Sequence, residues 1–181
     1  LSDGALANGA EPWKLPDLDS LPPIDTANLQ TSTETFLPYE RNPETLARAY
    51  APPGTPGREH RIGGLEKQDK TGNVSYDPSN HEFMCRLRQE KVQRVQADVP
   101  AIEAYGDQTG TLVISWGGTF GAVRSAVDGA RALGLKVGHV HLKWLNPLSA
   151  TLPDVCQQYS QHLVAELNLG QLHKYLRQSI G

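Results

Sequence analysis

Two histidines, His139 and His141, alternate along the string VGHVHL, so in an extended strand both project to one side. Such a pair can ligate a metal, but no third ligand accompanies it and no metal site is assigned. Lys143 continues the same side, which favours a partner-facing edge or a cleft. A second candidate is the glycine-rich turn WGGTFG, with Gly117, Gly118 and Thr119. Turns of this kind, between a strand and a helix, offer backbone N–H groups to anions. The spacing of Gly117, Gly118 and Gly121 is not GxGxxG, however, and no Walker lysine follows. Tight strand–helix packing, phosphate or cofactor contact and a subunit interface all remain open for it. Glu166 and Asn168 close an apolar run, where an acid can act on a ligand or can cap a helix at an interface. His60, Arg61 and Glu66 sit in the Gly- and Pro-rich loop from Pro52 to Pro78 and could touch a substrate or a neighbouring subunit. No GxSxG elbow, zinc quartet or iron–sulfur cysteine set occurs, so no catalytic residue is assigned to this chain.

The elements that must hold these residues are readable from position 111 onward. Thr111–Trp116 is β-rich and nearly all apolar, as a buried parallel strand should be. Thr119 is placed to cap a helix with Val123, Ala126, Val127, Ala130 and Leu133 on one face, closed by Gly134 and Leu135 in a Schellman manner. A second strand is predicted over 136–145, ended by Asn146-Pro147. Thr151 and Asp154 suggest a capping box for a short helix to about Ser160. A third strand over 162–167 and a last helix opened by Gly170 complete the pattern. Alternating strands and helices imply parallel pairing with right-handed crossovers, and hence a small three-layer α/β domain with a mostly parallel sheet.

The earlier residues read differently. Prolines at 12, 16, 22, 23, 38 and 43 interrupt every candidate element of residues 1–50. Leu15, Leu18, Leu21 and Ile24 are spaced to dock an extended segment on another surface. Asn42-Pro43 could start a short helix to Tyr50. The loop is too charged to be core. Asp77-Pro78 then starts a helix over 78–97, with Phe83, Met84, Leu87, Val92 and Val95 as its stripe and Arg86, Arg88, Lys91 and Arg94 on a solvated face. Residues 101–110 read as a linker.

Composition narrows the function class. Of 181 residues, 38% are hydrophobic, with 13 prolines and 17 glycines, so part of the chain has no core of its own. A formal net charge of −3 argues against a general nucleic-acid or membrane-surface binder. Two cysteines without metal spacing suit structural thiols in a reducing cytoplasm. The start at Leu1 suggests a fragment of a longer polypeptide.

Four segments resemble the alpha subunit of 2-oxoacid:ferredoxin oxidoreductases, most closely the 2-oxoglutarate type. They are residues 1–22; PGTPGREHRIGGLEKQDKTGN (53–73) with HEFMCRLRQEKV; VISWGGTFGAV; and HLKWLNPLSATLPDV running to VAELNLGQLHKYLR. The resemblance implies a C-terminal fragment of a cytoplasmic enzyme that uses thiamine diphosphate, Mg²⁺ and a [4Fe-4S] cluster, with coenzyme A as acyl acceptor and ferredoxin as electron acceptor. It implies that residues 1–50 end a pyrimidine-binding domain, 51–110 are a long connector, and 111–181 are a transketolase-C-terminal-like domain lacking its last strand. The catalytic glutamate would precede Leu1, and the cofactors would be held mainly by a beta subunit partner, none by this fragment alone. Relatives often read GxEHxExG in the long loop; aligned from Gly64, the histidine position is Lys67. A pyruvate or branched-chain 2-oxoacid enzyme, and a non-catalytic interaction module of the same fold, are the alternatives.

Overall fold

Thr111–Trp116 (β2) is buried on both sides, which is why its sequence shows no polar alternation until Ser115. In the computed structural model, which describes residues 15–24, 26, 29 and 35–181, this strand pairs in parallel with Val137–Leu142 (β3) and with Gln161–Ala165 (β4). Tyr105–Gly106 (β1) adds an antiparallel edge to β3, giving the order β1-β3-β2-β4. The described residues form two compact units, one within Trp13–Val95 and one over Gln96–Gly181. The opening string of the sequence, residues 1–14, lies outside the described residues.

The Gln96–Gly181 unit has three layers. Leu112 and Ile114 of β2 and Val140 and Leu142 of β3 face the helices Leu152–Gln157 (α3) and Gln171–Ile180 (α4), which supply Leu152, Val155, Leu172 and Leu176. Val113 and Val137 face Val127 of the helix Phe120–Ala132 (α2). Burying each Leu, Ile or Val contributes about 1.5–3 kcal/mol. The Schellman end of α2 is as anticipated: Gly134 is at φ +85°, its N–H donates to Arg131 O at 2.9 Å, and Leu135 N–H donates to Ala130 O at 3.2 Å. Leu133, placed on the buried face from the sequence, is instead 83% exposed.

Several local expectations change. Residues 101–110 are no passive linker. Tyr105–Gly106 pairs with β3, and the Asp107 carboxylate accepts from Arg131 Nε at 2.9 Å, which holds it below the usual carboxylate range. Tyr159 Oη donates to Asp107 O at 2.7 Å, passing over Gly138. Thr151 makes no capping bond to α3; its hydroxyl accepts from Ile102 N–H at 2.9 Å. The second and third strands end three and two residues earlier than the sequence suggested, at Leu142 and Ala165.

In the Trp13–Val95 unit the helix Pro78–Arg94 (α1) starts at Asp77, whose carboxylate accepts from Ser79 N–H at 2.9 Å, and runs on into a 3-10 turn over Val95–Asp98. Of its predicted stripe only Met84 is buried; Phe83, Val92 and Val95 are exposed. Three of its four basic residues, all but Lys91, pair instead of being merely solvated: Arg86 with Glu82, Arg94 with Glu90, and Arg88 with Glu66. Asn42 caps a turn, not a helix, accepting from Glu44 and Thr45 N–H. The chain then returns through buried Leu46, at φ +55°, to a bridge between Arg41 and Arg48.

The long loop also folds on itself. Tyr39 bridges Lys70 and Lys67 bridges Val74. Lys67 is 4% exposed, with its ammonium donating to Gly63 O at 2.9 Å and Leu65 O at 2.5 Å. Charge therefore did not keep this loop out of the interior, because backbone carbonyls solvate the buried ammonium. Amide exchange should separate the two halves of the loop: slow at Gln68, Gly72 and Ser75, whose N–H groups are bonded to Asn73, Gln68 and Glu66 carbonyls, and fast over 59–65. Equal exchange rates across the loop would contradict this arrangement. Gly138→Ala should destabilise the sheet by about 1–3 kcal/mol, read as a lower thermal midpoint, because a Cβ there would lie 2.6 Å from Asp107 O and collide with the Tyr159 hydroxyl.

Candidate functional site

Ser115, His139 and His141 meet on the α2 side of the sheet because β2 and β3 run in register, with Val113 opposite His139 and Ser115 opposite His141. Ser115 Oγ lies 2.7 Å from His139 Nε2 and 2.8 Å from His141 Nδ1. Arg124 Nε, from α2, lies 3.5 Å from His139 Nδ1, and an arginine N–H can only donate. The donor inventory then assigns every proton. His139 donates from Nε2 to Ser115; Ser115 gives its single proton to His141 Nδ1; His141, whose ring also meets the Gly117 backbone, keeps its own on Nε2. Both rings are thus neutral. Burial, reinforced by the charge of Arg124, pushes His139 down to about 4; burial and Lys143 also lower His141. Phe120 stacks on His139 at 6.0 Å and meets His141 edge-on at 5.1 Å.

This chain of bonds ends at the carboxyl edge of the sheet, where ligands and partners of parallel sheets usually sit. Gly117–Thr119 form a 3-10 turn there, with Gly117 at φ +61°. Thr119 stands at the N-cap of α2 but does not cap it; its hydroxyl donates to Trp116 O at 2.7 Å. Glu166 accepts from Leu172 N–H at 2.9 Å and His173 N–H at 3.1 Å, and Asn168 Oδ1 accepts from Gln171 N–H at 2.8 Å. Both therefore cap α4. Burial raises the Glu166 carboxyl, but these amides, with Asn168 and the Trp116 indole, bring it below its usual range. A cleft of about 310 Å³ lies beside this edge, lined by His141, Lys143, Trp144 and residues of the 99–103 segment.

The loop candidates do not converge with one another. His60 and Arg61 line a cleft of about 470 Å³, with His60 Nδ1 2.8 Å from Arg58 O and its ring edge-on to Phe36. Glu66 lines a different cleft and is held by His81 at 2.6 Å and Arg88 at 3.2 Å, which keep it well ionised. The residues missed from sequence are Ser115 and Arg124. Only the strand register brings a serine between two histidines, although a lone polar residue in an apolar strand was a signal. The spacing GxEH also stands at Gly57-Arg58-Glu59-His60.

No family model matches the chain. It is 49% identical over 98% of its length to the 2-oxoglutarate oxidoreductase subunit KorA of Mycobacterium tuberculosis. The chain is similar to one part of a 2-oxoglutarate oxidoreductase subunit. It spans 27% of that relative's length. An 87-residue match at 26% identity, covering 46% of this chain and 14% of the relative, reaches the alpha subunit of 2-oxoacid:ferredoxin oxidoreductase 1 from Aeropyrum pernix. Among solved structures, the 2-oxoglutarate:ferredoxin oxidoreductase of Magnetococcus marinus, with 2-oxoglutarate, coenzyme A and succinyl-CoA bound, superimposes with a TM-score of 0.70 at 32% identity. That match covers 83% of this chain and 27% of the other. The resemblance read from the residues, and the mixed α/β fold with a mostly parallel sheet, are both borne out.

Neutral His139 makes stability depend on pH with a fixed sign. An unfolded histidine takes a proton near pH 6.5, whereas the folded one resists until about 4. The contribution is complete above pH 6.5 and is lost as pH falls toward 4, about 2 kcal/mol of it by pH 5. Chemical denaturation of the protein at about pH 7 and about pH 5 should show this loss, and His139→Gln should flatten it. An unchanged slope in that variant would assign the titration to another group.

Proposed function

We propose that this chain is the C-terminal part of the alpha subunit of a 2-oxoglutarate:ferredoxin oxidoreductase. The complex converts 2-oxoglutarate, coenzyme A and oxidised ferredoxin to succinyl-CoA, carbon dioxide and reduced ferredoxin, or runs the reverse. The observation that carries this reading is the 49% identity along 98% of the chain to a 2-oxoglutarate oxidoreductase subunit. Residues 1–50 end a pyrimidine-binding domain, the connector with its helix follows from residue 51 to about 95, and the α/β unit Gln96–Gly181, which includes β1, forms a transketolase-C-terminal-like domain.

The chain's own role in this proposal is structural: subunit interface and a wall of the catalytic cleft. Its donor set does not fit the metal groups of such an enzyme. A [4Fe-4S] cluster takes four thiolates, and this chain has two cysteines, one exposed and one buried. No group of three or more His, Cys, Asp or Glu side chains gathers among the described residues. Thiamine diphosphate, Mg²⁺ and the cluster are accordingly assigned to the rest of the complex, mainly to a beta subunit. Exposed apolar residues support such a partner. Leu15, Leu18 and Ile24 are 88%, 77% and 88% exposed, and Phe83 and Val95 of α1 are open to solvent. Two unpaired thiols suit the reducing cytoplasm. No helix among the described residues is long and apolar enough to cross a membrane.

The test is anaerobic viologen reduction by the full-length subunit purified with its partner. Reduction that requires both 2-oxoglutarate and coenzyme A is expected, with pyruvate and 2-oxoisovalerate at least about tenfold poorer in kcat/KM. A preference for either of those acids would move the chain to another substrate class, and no reduction with any of them would leave it a non-catalytic module.

A further inference from the structure

Arg41, Arg48, Lys67, Arg88 and Lys91 line one cleft of about 480 Å³ in the Trp13–Val95 unit, and Glu66 is the acid among its lining residues. Asp69, 3.2 Å from Arg41, offsets one further charge. A surplus of positive charge is left in a concavity.

Part of that charge is committed within the fold. Lys67 is bonded to two carbonyls, Arg41 to Tyr39 O and Asp69, and Arg88 to Glu66. Two cations are not. Lys91 makes no hydrogen bond or ion pair among the described residues. Arg48 stacks over the Tyr39 ring at 4.2 Å and spends a single nitrogen on a long 3.4 Å contact to Pro38 O. The groups are close enough to repel: after burial, the charges of Arg48 and Arg88 hold Arg41 below its ordinary value. Gathering like charges without a counter-ion costs stability, and a bound anion removes that cost. The same cleft also carries apolar surface, with Ile62 80% and Leu65 53% exposed beside Met84 and Leu87.

We propose that this cleft binds a small organic phosphate carrying at least two negative charges, with its apolar part against Ile62 and Leu65. Guanidinium forks match phosphate oxygens in pairs, and Lys91 adds a point charge. The volume lies in the range of small-molecule pockets and exceeds what an inorganic anion fills. An acidic protein segment would read charge spread over a surface, whereas here the cations converge in a concavity floored by buried Lys67 and Met84. The proposal stands independently of the oxidoreductase reading, since it needs no turnover.

The experiment is titration calorimetry of the full-length protein in its native complex, with pyrophosphate and with adenosine diphosphate as probes. Both should bind, the adenosine diphosphate several-fold more tightly. Arg48→Gln and Lys91→Gln should each weaken both probes about tenfold or more, the worth of one charged hydrogen bond. Lys174→Gln, an exposed charge change in the other unit, should leave both unchanged. Lys91 is exposed on a helix that its substitution preserves, so circular dichroism of that variant should match the parent. No binding at millimolar probe, equal affinity for the two probes, or parent-like binding by both cleft variants overturns the proposal.

Discussion

Ser115 has one proton and two histidine nitrogens within 2.8 Å, and it is fully buried. A polar group in that position holds only if its partners are all in the right protonation state. That constraint fixes the tautomers of both rings, and it does so across two strands. It ties the Gly117 turn to Arg124 one turn into α2, because the bonds run from the helix through the sheet to the turn. The carboxyl edge of the sheet is therefore rigid from beneath, and Glu166 fixes the adjoining helix with its two amide bonds. What the edge presents to a neighbour is backbone and capping geometry, with few free side chains.

The other unit solves burial in a different way. Among its described residues the buried apolar side chains are few, Pro38, Leu46 and Met84, while Arg58 and Lys67 are buried among polar partners and aromatic faces. Such a structure gains little from area and much from matched geometry, so each lost partner leaves a buried charge exposed to the full desolvation cost. Glycines at positive φ, such as Gly64 and Gly72, let the loop turn tightly enough to point its carbonyls inward.

Legibility followed the same division. The α/β elements were readable because β2 and α2 have periodicities that only burial explains, and Gly134-Leu135 announces its own helix end. The two-residue strand β1 was not readable: it pairs with Gly138 and His139, and Asp107 beside it is held by Arg131 and Tyr159, all distant in sequence. The stripe on α1 was read as buried because apolar spacing says nothing about whether a neighbour exists to cover it. The serine between two histidines is not legible in either strand's sequence alone, because register is a property of strand pairs. Candidate residues in the long loop shared a stretch of sequence, yet folding divides them between separate clefts.

Lys67 has a consequence for how the loop responds to its solution. Its ammonium is held by carbonyl dipoles at short range inside the protein, where mobile ions do not enter. The neighbouring guanidinium and ammonium groups act outward through solvent and are screened at a Debye length of about 8 Å in physiological salt. Ionic strength can thus alter what the cleft attracts while leaving its walls in place. Shape and field, though built from the same residue types, are governed separately.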